Sequence, residues 1–360
     1  MTSGQPQNRL RGIDSLRGLA ALAVVLFHYT TGYEFMLGRS GSGLLFYLPT
    51  GCFGVQLFFL ISGFVILRTL ERTSDLKTFA VARFARLYPP FFVCATLTLI
   101  VIALTHWHLA NLNAKAIAIN YTMLAQLIGV KEIDPSYWTL TYEVLFYAGA
   151  ALIWFRLRPK CRLEVPCLIW LGCSLAGHLV DDISNHHRLS TLINVDYANL
   201  FVLGMMLYYL SQGRGSRLTI PTFGAALLMA LFPPGVNAVG VVLSRIEYIS
   251  LIASFWALIW LASNGERRFL DFPPLVFLGE ISYSLYLVHQ VIGFTIIHAL
   301  LRAGMEPNVA IFTTIAFIVA LAACLRIFVE KPAERWIKNS TKPPARAALA
   351  HRSAHAGEVC

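Results

Sequence analysis

RGLAALAVVLFHYTTGY occupies residues 17–33. After Arg17 come ten small or apolar residues, and then His28. Runs of about 20 such residues recur along the chain, each long enough to cross a hydrocarbon core roughly 30 Å thick. Of the 360 residues, 57% are hydrophobic and only 13% charged, about half the charged share of a soluble domain. The mean hydropathy of +0.63 agrees. The bilayer is therefore the expected solvent. Runs of this length are helices rather than barrel strands, because lipid offers the backbone no hydrogen-bond partner. Residues 19–33 lack a small-x-small cleavage pattern and are followed by many equal runs, so they are expected to be the first permanent span and not a signal peptide.

The expected fold is all-α, a polytopic bundle of about ten transmembrane helices. The spans lie near 16–33, 50–68, 88–106, 136–157, 166–181, 192–210, 219–233, 248–263, 278–301 and 310–330. The seventh is short. Residues 116–130 are also apolar, as an interfacial or re-entrant helix would be. Residues 1–338 form one transmembrane domain, and residues 339–360 form a tail expected to be disordered. With ten alternating spans, one set of loops and both termini carry twenty-two Lys and Arg, against six on the opposite side. That bias orients both termini to the cytoplasm. It also accounts for the net charge of +10 without nucleic acid as a partner. The seven cysteines are scattered with no metal-ligand spacing, so no metal is expected.

Ionisable residues inside spans cost several kcal/mol unless paired or hydrated, which makes each one a functional candidate. Here they are His28, Glu143, His289, His298 and Arg326. Eleven residues at 100° each bring His28 within about 20° of Arg17 on one helix face, roughly 16 Å further along the axis. Asp14 falls near the same face. Histidine suits proton abstraction because its pKa lies near neutrality; the alternative is a buried imidazole bonded to a backbone carbonyl. Glu143, in the run Tyr137-Trp138-Thr139-Leu140-Thr141-Tyr142-Glu143, lies at a depth similar to His28. It either orients that imidazole or pairs with an arginine or tyrosine. Ser282, Tyr286 and His289 share one face of span nine, which glues helices or lines a cavity. Arg68, Arg72, Lys77, Arg83 and Arg86 cluster after span two. Arg83 and Arg86, one turn apart at the start of span three, suit bidentate phosphate binding; the alternative is orientation alone.

Six segments, in order, resemble the acyltransferase-3 family of membrane O-acyltransferases. They are Arg11-Gly12-Ile13-Asp14-Ser15-Leu16-Arg17 running on to His28, Gly54 to Phe64, Arg83 to Pro90, Trp138 to Glu143, Gly279 to His289, and Val329-Glu330-Lys331-Pro332. The likeness covers roughly residues 9–338. It implies about ten helices, an acyl-CoA donor that is commonly acetyl-CoA, and a hydroxyl acceptor on a cell-surface or secreted carbohydrate, glycolipid or macrolide. The family's arginine-x10-histidine signature falls on Arg17 and His28, and its span-three arginines fall on Arg83 and Arg86. Their spacing here is R-x-x-R, where some members have R-x-R. Gln56 stands where the family often has Asp. No hydrolase-like domain follows the last span, as in the stand-alone type. The surroundings implied are membrane lipids of a bacterial inner membrane.

On this reading Arg17, Arg83, Arg86 and Arg68 hold the CoA phosphates. His28, oriented by Glu143 or Asp14, deprotonates the acceptor hydroxyl or carries the acyl group transiently. Ser62, Tyr286 or His289 contact the oxyanion or the acceptor. The rival reading is a transporter or flippase whose histidines and glutamate relay protons, although no pair of matching broken helices is visible. A third is a structural partner in a polysaccharide assembly.

Overall fold

Apolar runs without water must close their hydrogen bonds internally, and among the described residues every regular element is helical. The computed structural model describes residues 11–37, 44–105, 112–158, 160–180, 187–233, 241–264 and 268–340. The expected tail thus lies almost wholly outside the described residues.

The principal helices are α1 (Arg11–Phe27), α2 (Gly54–Glu71), α3 (Leu76–Thr105), α4 (Trp138–Leu152), α5 (Glu164–Leu179) and α6 (Ala198–Ser211). They continue with α7 (Thr219–Leu228), α8 (Arg245–Ser263), α9 (Pro273–Val288), α10 (Gln290–Arg302), α11 (Pro307–Leu325) and α12 (Lys331–Ser340). Among the described residues seven helical stretches are long and apolar enough to cross a membrane, and the bent pair α9–α10 makes an eighth. The two expected spans near 166–181 and 219–233 appear as shorter apolar helices, Glu164–Leu179 and Thr219–Leu231. The chain is an integral membrane protein.

Two spans differ from expectation. Span three begins at Leu76, not near 88, and Pro89 and Pro90 lie inside its 30-residue helix. Each proline removes a backbone donor, and the Tyr283 hydroxyl donates to the nearby Leu87 carbonyl at 3.0 Å. Arg83 and Arg86 therefore sit on the second and third turns of a continuous helix, not at its mouth. Span nine is not one helix: it bends by 75° between Val288 and Gln290, at His289. The apolar stretch 116–130 forms two short helices, Ala114–Asn120 and Ala125–Ile128. They are tied to α3 by Tyr88 Oη donating to the Thr122 carbonyl and to α4 by Thr141 Oγ1 donating to the Met123 carbonyl.

The centre of the bundle is α1 laid along α9, with α2 laid along α6 beside it. Small residues permit this. A Cβ at Gly18 would stand 2.6 Å from the Gly279 amide nitrogen. At the second crossing a Cβ on Gly204 would press on the Leu60 carbonyl and stand 2.8 Å from the Phe64 nitrogen. Close backbone approach of this kind is how membrane helices gain contact where lipid supplies no hydrophobic drive. Gly204→Val meets fixed backbone on both sides. It should destabilise the protein by about 1–3 kcal/mol, read as a lowered melting temperature in detergent. An unchanged melting temperature would mean that α2 and α6 do not meet there.

Candidate active site

The site begins where α1 stops being an α-helix. His28–Gly32 is a π-turn, a feature often found at functional positions. Widening the turn disturbs the carbonyl ladder, and side chains step in. Thr30 Oγ1 donates to the Leu26 carbonyl at 2.6 Å. His28 Nδ1 lies 2.9 Å from the Val24 carbonyl. The α-helix is intact from Arg17 to Phe27, so the shared face of Arg17 and His28 follows from ordinary helix geometry.

The bend in span nine carries His289 to His28. The rings meet edge to face with centroids 4.9 Å apart, and His289 Nε2 is 3.1 Å from His28 Nδ1. His289 is fully buried, with its Nδ1 2.7 Å from the Tyr286 carbonyl. No glycine or proline causes this bend. Groups from elsewhere in the chain take over its loosened backbone. Tyr29 Oη donates to the His289 carbonyl at 2.7 Å. Tyr137 Oη donates to the Leu287 carbonyl at 2.9 Å. The Val291 amide donates to Asp134 Oδ2 at 3.0 Å. Asp134 also accepts from the Ser136 amide and hydroxyl; burial nonetheless pushes its carboxyl above the usual range. On the next turn Tyr286 Oη donates to the Ser136 carbonyl and shares a hydrogen bond with the Thr139 hydroxyl, both at 2.9 Å.

Two cavities adjoin below this layer and share Arg17, Arg86, Ser282 and Tyr283. The lower, about 810 Å³ of empty space counting its open mouth, is strongly polar; its walls include Asp14, Arg68, Glu280, Arg326 and Glu330. The upper encloses about 550 Å³ and includes Phe58, Ser62, Thr139, Glu143 and Tyr286. Tyr286 packs on His289 with centroids 5.4 Å apart, so one ring of the upper wall touches the histidine pair.

The arginines divide into two kinds. Arg326 is engaged, at 2.6 Å from Glu330 Oε1 and 3.3 Å from Glu334 Oε1. Arg17 lines both cavities with no ion pair, and its buried Nε has no hydrogen-bond partner among the described residues. Arg86 lines both as well. Arg83 does not line either one; its guanidinium lies over the Phe79 and Tyr147 rings at 5.8 and 6.0 Å, and its Nε is likewise buried without a partner.

Glu143 was expected beside His28. Its bonds instead come from the Tyr147 hydroxyl and, at 3.4 Å, from Ser62 Oγ. The His28 ring bonds only to Val24 and His289 among the described residues. Orientation of His28 by Glu143 or Asp14 is therefore corrected: a backbone carbonyl and a second imidazole hold the ring. Asp14 lies in the wall of the lower cavity. Sequence reasoning missed Tyr147, whose i+4 spacing from Glu143 was a legible signal. It also missed Asp134, whose Asp-Pro-Ser context marks a side-chain-capped turn.

The acyltransferase-3 family, described as an acyltransferase domain, matches residues 10–329. Among curated proteins, the acyltransferase MdmB of Streptomyces mycarofaciens is 27% identical over 314 residues, covering 79% of this chain and 79% of that protein. A protein of Acidianus two-tailed virus named as an acetyltransferase is 25% identical over 283 residues, 77% of this chain and 81% of its own. One from Staphylococcus aureus strain COL named as an O-acetyltransferase is 25% identical over 366 residues. That match covers 89% of this chain and 56% of the relative, so the chain spans about half the length of that protein. No solved structure matches the chain significantly.

Proposed function

This chain belongs to the acyltransferase-3 family, and from that premise we propose that it moves an acetyl group from acetyl-CoA to a hydroxyl of a cell-surface or secreted carbohydrate or glycolipid. It does so in a bacterial inner membrane with both termini in the cytoplasm, as the basic loops support. The transporter alternative gives way to the family assignment.

The observation that carries the reading is the stripe along α1. At its lower end Arg17 and Arg86 present guanidinium groups to a polar cavity whose walls also hold Asp14, Glu280 and Glu330, and neither arginine makes an ion pair among the described residues. A buried cation that no carboxylate contacts directly is costly, and an anionic ligand in the cavity would relieve that cost. The phosphates of CoA are such a ligand and suit arginine's donor fork. At the upper end His28 engages through Nδ1 alone, which leaves Nε2 as a lone pair. In the reaction Nε2 accepts the proton of the acceptor hydroxyl. The oxygen attacks the thioester carbonyl, the C–S bond breaks, and the CoA thiolate leaves and is protonated. Ser62 and the Tyr286 hydroxyl stand in the upper wall; each donates within the protein, to Glu143 and to the Ser136 carbonyl, and steadies the oxyanion only by exchanging that bond.

The test is direct. Purified protein in detergent is given radiolabelled acetyl-CoA with and without an oligosaccharide acceptor. Label should move to the sugar and free CoA should appear in equal amount. Tight CoA binding with label found only on a non-carbohydrate hydroxyl would overturn the acceptor class, and no CoA binding at all would overturn the donor.

A further inference from the structure

Tautomers can be read from acceptors that cannot donate. The Val24 carbonyl lies 2.9 Å from His28 Nδ1, and the Tyr286 carbonyl lies 2.7 Å from His289 Nδ1. A carbonyl only accepts, so both Nδ1 atoms carry hydrogen. His289 Nε2, 3.1 Å from His28 Nδ1, is then a lone pair beside that N–H, which it shares with the Val24 carbonyl. For two neutral rings no other proton assignment avoids setting lone pair against lone pair or hydrogen against hydrogen. Neutral imidazole in water mostly carries its proton on Nε2, so the site enforces the less common form.

We propose that His289 is a positioning residue, whose Nε2 shares the single His28 Nδ1–H with the Val24 carbonyl and so holds the ring in place with His28 Nε2 bare for proton abstraction. The proposal rests on His28 acting as the base. It assigns to a neutral imidazole the orienting task that a carboxylate performs in many catalytic dyads. When His28 takes up a proton, the same Nδ1–H bond becomes charge-assisted and strengthens. The bend between α9 and α10 serves this contact. Tyr137 and Asp134 occupy the Leu287 carbonyl and Val291 amide that the bend frees, and Tyr29 adds a second donor to the His289 carbonyl, which also accepts from the Gly293 amide; together they hold His289 at the depth of His28. Tyr29 also adjoins His28 in sequence, so the hydroxyl that latches the bend and the ring that the bend positions stand on consecutive residues. Gly293 leaves room for that hydroxyl: a Cβ there would collide with Tyr29 Oη.

Two substitutions separate positioning from structure. His289→Asn keeps a donor for the Tyr286 carbonyl but is too short to reach His28. His289→Gln loses that donor but brings an amide oxygen to where Nε2 was. A positioning role makes Asn the worse variant. Its kcat for acetyl transfer should fall on the order of 10–100-fold with KM for acetyl-CoA within about twofold of wild type, while Gln stays within about tenfold of wild type. A purely structural role reverses the order, and that reversal would overturn the proposal, as would wild-type kcat in His289→Asn alongside an inactive His28→Ala. A second readout needs no turnover. With histidine ring nitrogens labelled with nitrogen-15, NMR of wild type should show a neutral Nδ1–H ring that vanishes in His28→Ala; in His289→Asn the same N–H, left with the Val24 carbonyl as its one acceptor, should shift its resonance. An Nε2–H form for that ring in wild type would sink the idea. A protein that shows the expected tautomer but transfers no acetyl group would leave His289's hold on the ring standing and refute the acyl-transfer reading instead.

Discussion

His28→Ala should lower acetyl transfer by about 10²–10⁴-fold, the usual contribution of a positioned general base, while leaving CoA affinity within about twofold. The split follows from where the groups lie. Arg17 and Arg86 line the polar cavity, whereas His28 sits eleven residues further along α1 and lines neither cavity. Truncation removes the base without touching the guanidinium groups. It also takes the donor from His289 Nε2, a buried acceptor whose loss of a partner costs about 1–3 kcal/mol. A modest fall in melting temperature is therefore expected too, and monodisperse elution in detergent checks that the variant is folded. Turnover and CoA binding measured on one preparation decide the matter. Normal turnover would remove His28 from the chemistry, and loss of CoA binding together with turnover would make it a structural residue instead.

Arg86→Ala should raise the Kd for CoA roughly 10- to 100-fold, because a hydrogen bond to a charged group is worth about 1.5–3 kcal/mol. Arg17→Ala should do the same. Neither guanidinium has an ion-pair partner among the described residues, so removing one releases a desolvation cost but forfeits the anion contact. The binding loss should shrink as salt rises, since screening weakens the wild-type contact. Arg83→Ala is the internal contrast. Its guanidinium packs on the Phe79 and Tyr147 rings and lines neither of the shared cavities. It should act through the Tyr147 ring that donates to Glu143, changing turnover more than CoA affinity. Titration calorimetry with CoA across the three variants tests the ranking. Equal losses in all three would place Arg83 with the phosphate-binding pair after all.

The Arg83 and Arg86 pair shows where sequence reasoning stops. R-x-x-R puts two arginines one turn apart, and their chemistry suits phosphate whichever way they face. Which one lines the cavity depends on the packing of α3 against α9 and α12, and no local pattern encodes that. Glu143 makes the same point from another side. Its depth in span four was legible, but its partners Tyr147 and Ser62 were chosen by the side of α4 that meets α2.

By itself the sequence determined the class of fold and the face that Arg17 and His28 share. Apolar runs of bilayer length can satisfy their backbone only as helices, and an eleven-residue step returns to the same face of a helix whatever surrounds it. Both conclusions depend on local geometry alone. The tertiary structure decided the bend at His289 and the choice of partner for His28. Nothing between Leu285 and Val291 breaks a helix by composition. The break persists because Tyr137 takes the Leu287 carbonyl and Asp134 the Val291 amide, while Tyr29 braces the His289 carbonyl beside the Gly293 amide. Tyr137, Asp134 and Tyr29 lie some 150 to 260 residues away along the chain. The His28–His289 contact spans 261 residues, a separation that only helix packing closes.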